Sequence, residues 1–240
     1  MALGRTELRV AAAGKVVVLQ PKRLGLLAYL AVAAPGRFVR RDLILPLFWP
    51  ELDGPRARNA LNKAVFYLRQ VLGEGVLTGR GDDEVGLSGE RFWCDAVALD
   101  EAVADQGWGE ALELYRGDFL PGLYLSGAAP FEEWLEVERT RLRRQAARAA
   151  RGAAEALMAG DDAPGAVEAA RRAVSLAPDD EQAVRYLMAL LDRLGDRAGA
   201  LRVYEDFAAR MRREFEVEPD TETRTLRKTV SGRVLPAEPE

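Results

Sequence analysis

The sequence predicts a mainly α protein in two parts: an N-terminal winged helix of three helices and short hairpins over residues 1–92, then an all-α, tetratricopeptide-like helical repeat domain over residues 93–240. Three observations predict it. Residues 54–72 carry a long amphipathic stripe followed directly by a β-prone hairpin. The second part repeats small-residue motifs at the spacing of stacked helix pairs. The charge divides at the same place: residues 1–92 hold 14 Lys and Arg against 9 Asp and Glu, a balance of +5, and residues 93–240 hold 20 against 29, a balance of −9. A basic head joined to an acidic body fits a polyanion-binding module with a partner-binding one.

In the first part, residues 7–11 and 15–19 are short β-prone runs joined around Gly14, and Pro21 ends them. From residue 22 to 34, Leu24, Leu27, Ala28, Leu30 and Ala31 recur at helical spacing until Pro35-Gly36 stops the helix. A short second helix is expected over residues 40–48, leaving through Trp49-Pro50. The third, residues 54–72, aligns Ala57, Ala60, Leu61, Ala64, Val65, Leu68, Val71 and Leu72 on one side over about five turns. Val76-Leu77-Thr78, a Gly-Arg-Gly-Asp-Asp turn and Val85-Gly86-Leu87-Ser88 then read as a second hairpin. Three helices followed by a hairpin make a winged helix.

The face of residues 54–72 opposite the apolar stripe is polar and carries no acid before Glu74. The major groove of DNA admits one α-helix, and amides and cations on the inserted face meet base edges there: Asn suits adenine, and Lys or Arg suits guanine O6 and N7. Asn59, Asn62 and Lys63 are the base-reading candidates. Arg56, Arg58 and Arg69, with Arg80 of the wing, are the phosphate or wing candidates, which fix register and give salt-dependent affinity. Phe66 and Tyr67 stay open between a thymine methyl, a protein contact and a neighbouring loop.

In the second part, Gly160-Asp161 and Gly195-Asp196 lie 35 residues apart, and Ala166-Val167 and Ala200-Leu201 lie 34 apart. That is the tetratricopeptide period, with small residues letting paired helices approach. Pro178-Asp179 and Pro219-Asp220 mark helix boundaries, and residues 109–115 copy the start of the repeat's second helix. A long helix over about 131–159 places Glu132, Glu133, Glu136 and Glu138 ahead of Arg139, Arg141, Arg143 and Arg144, the order that i, i+4 pairing and the helix dipole favour. Its basic run reads as a solvated face. Helical stacks of this kind bind partners and rarely catalyse.

Composition excludes several classes. The chain has no His and one Cys, Cys94, which reads as a small buried hydrophobe. The commonest general base and metal ligand are therefore missing, and no CxxC or Gly-rich phosphate loop is present. No enzyme, metal or cofactor is expected. The apolar runs stop well short of the ~20 residues of a membrane helix, and no signal sequence opens the chain. A cytoplasmic protein without a membrane span is expected.

Several strings resemble the SARP-type bacterial transcriptional regulators, which join a winged-helix output domain to a bacterial transcriptional activator domain with tetratricopeptide-like repeats. Pro21-Lys22-Arg23, Leu47-Phe48-Trp49-Pro50, Ala57-Arg58-Asn59-Ala60-Leu61 and Tyr67-Leu68-Arg69 are similar to the first-domain pattern. Residues 114–122 (LYRGDFLPG), 134–139 (WLEVER) and 217–223 (VEPDTET) are similar to the second. The resemblance implies double-stranded DNA binding through the third helix and wing, activation by contact with RNA polymerase, and self-association on direct-repeat sites. This chain departs from the pattern in a shortened first sheet, in the Phe66-Tyr67 pair, and in Asp82-Asp83-Glu84 at the wing tip, which repels phosphate. The alternative is a tetratricopeptide-repeat interaction adaptor whose winged helix no longer reads DNA.

Overall fold

The computed structural model describes residues 1–10 and 15–232; the turn expected around Gly14, and Ala11 at the end of the first β-prone run, lie outside the described residues. Strands β1 (Leu8–Val10) and β2 (Lys15–Val17) pair antiparallel, with Leu8 opposite Val17. Helix α1 (Pro21–Ala33) follows, with Pro21 at its first turn where a missing N–H costs nothing. It buries Leu26, Leu27, Leu30 and Ala31. Strand β3 (Phe38–Arg40), helix α2 (Arg41–Phe48) and helix α3 (Gly54–Leu72) come next, then β4 (Leu77–Arg80) and β5 (Glu84–Leu87). The sheet runs in the order β3-β5-β4, all antiparallel.

This is a winged helix, and β3 is an element that the sequence pattern had not shown. Only Val39 of its three residues faces the core, and its partner β5 lies more than forty residues further on. The expected second helix loses one residue to it and starts at Arg41.

The described chain forms two compact units, residues 1–105 with 110–142, and residues 106–109 with 143 onward. In the first, the winged helix shares a core with α4 (Asp95–Ala104), with the loop after α5 (Trp108–Leu114), and with the first half of α6 (Ala129–Ala159). Phe48 lies 4.8 Å from Phe131 and Tyr29 5.0 Å from Trp134, ring centre to ring centre. Aromatic pairs at such separations contribute about 0.5–1.5 kcal/mol each beyond area burial.

The recognisable string at residues 114–122 supplies the loop of that core. Phe119 and Leu120 are buried, and Arg139 donates to both of their carbonyls, at 2.9 and 2.8 Å. The backbone of residues 2–4 pairs along the same loop: Leu120 N donates to Ala2 O at 2.7 Å and Gly4 N to Asp118 O at 3.0 Å. The buried carboxylate of Asp95, at the start of α4, accepts from Ala2 N at 2.7 Å and Leu3 N at 3.0 Å.

In the second unit, α7 (Ala163–Leu176), α8 (Glu181–Arg193), α9 (Arg197–Phe215) and α10 (Thr221–Gly232) stack in sequence. The structure explains the 34-residue repeat. Asp162 and Asp196 are N-caps that accept from Gly165 N at 3.0 Å and Gly199 N at 2.8 Å. A Cβ on Gly165 or Gly199 would meet the capping carboxylate where it now stands, so the carboxylate would have to shift to keep the cap. Close helix approach falls to Ala166 and Ala200, both fully buried. Gly152 serves packing too: a Cβ there would meet the Trp108 ring at about 2.6 Å.

Candidate nucleic-acid interface

Helix α3 is built from its cap. The Asp53 side chain accepts from Arg56 N at 2.9 Å, a cap worth about 1 kcal/mol, and Pro55 stands in the first turn. Ala57, Leu61, Ala64, Val65 and Leu68 are buried on the inner side. Full burial of Leu61 and Leu68 contributes roughly 1.5–3 kcal/mol each, which fixes the helix's rotation on the core. Arg56, Arg58, Asn59, Asn62, Lys63, Phe66, Arg69 and Gln70 are thereby turned outward and exposed.

These exposed residues are engaged to different degrees. Arg58, Asn59 and Lys63 have no hydrogen-bond or ion-pair partner among the described residues. Asn62 Oδ1 accepts from Arg41 Nη1 at 2.6 Å. Arg56 lies 3.5 Å from its own cap carboxylate. Arg69 donates from Nε to Leu77 O at 3.0 Å, which ties the last turns of α3 to β4. Tyr67 is half-buried beneath the Arg23 guanidinium, whereas Phe66 is 63% exposed.

The wing stands beside this face. Arg80 pairs with Glu84 across the turn and lies 5.2 Å over the Phe38 ring. That hydrogen bond holds the Glu84 carboxyl below its ordinary range, against the opposing effect of burial, and raises Arg80. Asp82 and Asp83 are exposed at the tip. Between the wing tip, the start of α2 and α3 runs a groove of about 910 Å³, lined by Arg40, Arg41, Arg58, Asn62 and Arg80 among others, with Asp42, Asp82, Asp83 and Glu84 on the same walls.

The sequence reading had passed over Arg40 and Arg41. Arg40 ends β3 and Arg41 opens α2, and the Arg-Phe-Val-Arg-Arg string at 37–41 was the signal that could have found them. Arg40 pairs with Asp42, and Arg41 N donates to Asp83 O at 2.8 Å.

The long helix α6 spends much of its expected basic face internally. Arg139 is held by the Phe119–Leu120 carbonyls and Glu136, and Arg141 donates to Asp100 at 2.8 Å and Glu138 at 2.7 Å. Burial opposes the Arg141 charge, but the two carboxylates outweigh it and raise its pKa further. Cys94 is half-buried at the cap of α4, and burial beside Asp95 pushes its thiol up to about 11, so it is not a reactive thiolate. Among the described residues no cluster of metal-ligating side chains occurs, and no helix is long and apolar enough to cross a membrane.

A winged helix with an outward cationic third helix, followed by stacked helix pairs, defines the architecture of the SARP-type transcriptional regulators. The chain belongs to the bacterial transcriptional activator domain family, whose family model matches residues 96–231. Among solved structures it is similar to Mycobacterium tuberculosis EmbR, determined in complex with a low affinity phosphopeptide. The TM-score is 0.64 at 21% identity, covering 91% of this chain and 61% of that one. At that identity the likeness concerns the fold, and this chain spans about three fifths of EmbR's length. No curated protein matches the sequence.

Proposed function

We propose that this chain is a sequence-specific, double-stranded-DNA-binding transcriptional activator that reads the major groove with residues 54–72 and engages RNA polymerase through its helical repeats. Residues 1–92 form the DNA-binding part and residues 93–240 the activating part. The observation that carries the reading is the outer face of α3, where Asn59, Lys63 and Arg58 stand exposed and unpartnered on a helix with no acid between Asp53 and Glu74. Exposed amides and cations at this spacing suit base edges and phosphates. Two copies side by side on a direct repeat would double the contacts that any one copy makes.

The test is a gel-shift titration of the full chain against genomic promoter fragments. A subset should shift at concentrations where the rest do not, and added salt should weaken binding steeply. Absence of any sequence preference over the whole promoter set would sink the proposal.

A second reading, the repeat adaptor whose winged helix binds protein, is favoured by one observation: Phe66 is a large exposed apolar side chain in the middle of α3. Loss of a specific protein partner on Phe66→Ala, with DNA binding unchanged, would support that reading.

A further inference from the structure

We propose that Arg41 is a positioning residue that decides which base edge Asn62 reads. This rests on the DNA-binding proposal above and concerns specificity within it. Arg41 is the first residue of α2, and three elements converge on it. Its backbone N–H donates to Asp83 O of the wing turn at 2.8 Å, and its Nη1 donates to Asn62 Oδ1 of α3 at 2.6 Å. Its Nε is buried without a partner. The side chain is half-buried, whereas Asn62 is exposed on the face turned outward.

The chemistry of the pair fixes the orientation of the amide. A guanidinium has only donors, so the group it meets on Asn62 is the carbonyl oxygen, and the Nδ2 amino group is the part left to face a ligand. A free Asn side chain matches adenine by accepting from N6 and donating to N7 together. Here the accepting half is already held in a short, charge-assisted bond, and an adenine N6–H would have to share that oxygen. The remaining donors suit an edge that only accepts, guanine N7 and O6. Asn62 thus presents as a guanine reader, contrary to what its residue type alone suggests, and the residue that makes it so lies outside α3.

Selection of bound sequences from random duplex DNA by the full-length chain, followed by anisotropy titrations on the selected duplex and its single-base variants, tests this. The wild type should prefer guanine at one position, and Asn62→Ala should flatten that preference by about tenfold. Arg41→Met frees the amide and should move the same position towards adenine while leaving the other positions unchanged. Arg41→Lys keeps a donor to Oδ1 and should keep guanine. The inference is overturned if Arg41→Met retains the wild-type preference at every position, if the Asn62-dependent position is adenine in the wild type, or if Arg41→Lys loses guanine. Should Arg41→Met fail to fold, the Asn62→Ala and Arg41→Lys results decide the matter. A wild type that selects no sequence overturns the DNA-binding proposal itself, a distinct outcome.

Discussion

The guanidinium of Arg23 lies over the ring of Tyr67 at 3.8 Å from its centre, joining the start of α1 to the second turn from the end of α3. This contact divides the adjoining aromatic pair. Tyr67 belongs to the scaffold that sets the angle of α3, and Phe66 alone is left facing outward. Cation–π contacts of this kind contribute about 0.5–1 kcal/mol when partly exposed. Arg23→Ala should therefore lower stability in urea unfolding by about 1 kcal/mol, and Tyr67→Phe, which keeps the ring, should change neither stability nor DNA affinity.

The wing tip opposes the task proposed for it. Asp82 and Asp83 are exposed, whereas Glu84 is already neutralised by Arg80. Asp82→Asn with Asp83→Asn keeps the Asp83 carbonyl that accepts from Arg41 and removes two like charges from the path of the phosphates. Affinity for DNA should rise several-fold at low salt in an anisotropy titration, and the gain should shrink as the Debye length falls towards ~8 Å at physiological ionic strength. An unchanged affinity at low salt would mean that the wing stands clear of the backbone.

Asp95 is a buried carboxylate satisfied by backbone N–H groups, those of Ala2, Leu3 and Ala96. Removing it leaves those donors buried and unpaired, at roughly 1–3 kcal/mol for each group that water does not reach. Asp95→Ala should cost about 3 kcal/mol or more in chemical denaturation and should expose the backbone amides of residues 2–4 to hydrogen exchange.

The 217–223 string, which marks the family in sequence, builds an acid-sensitive staple in the second unit. Burial pushes the Asp220 carboxyl up, but hydrogen bonds from the Thr223 backbone N–H and from Arg185, each 2.6 Å away, outweigh it and bring the pKa down to about 2. A folded-state pKa below the unfolded one adds stability that is present in full above the ordinary value near 4 and lost as pH falls through about 2. Unfolding followed from pH 6 to pH 2 should show this loss in the wild type, and Asp220→Asn should lack that part of the dependence.

Much of the fold was legible because local rules act within single segments. The third helix was read as residues 54–72 and is Gly54–Leu72, since the Asp53 cap, Pro55 and the apolar stripe all act inside it. Strand β3 was not legible, because Phe38-Val39-Arg40 is too short for a pattern and gains its meaning only from β5. The 34-residue spacing was legible, but the Asp162 and Asp196 caps that recur with it were not, as a cap carboxylate's position is not written in spacing. In the candidate site, exposure of Asn59, Asn62 and Lys63 follows from periodicity. That Arg41 holds Asn62, Arg69 holds β4 and Arg23 covers Tyr67 depends on side chains meeting from separate elements.

The central claim is that the outer face of α3 reads base pairs. The most direct test is an anisotropy titration of the full chain on its selected duplex and on a scrambled duplex, for wild type and for Asn59→Ala with Lys63→Ala. The wild type should bind the selected duplex at least ~100-fold more tightly, and the double variant should lose about 1–3 kcal/mol of that discrimination per residue while keeping salt-dependent binding to both. Equal binding of wild type and double variant to the selected duplex, with the same preference over the scrambled one, would contradict it.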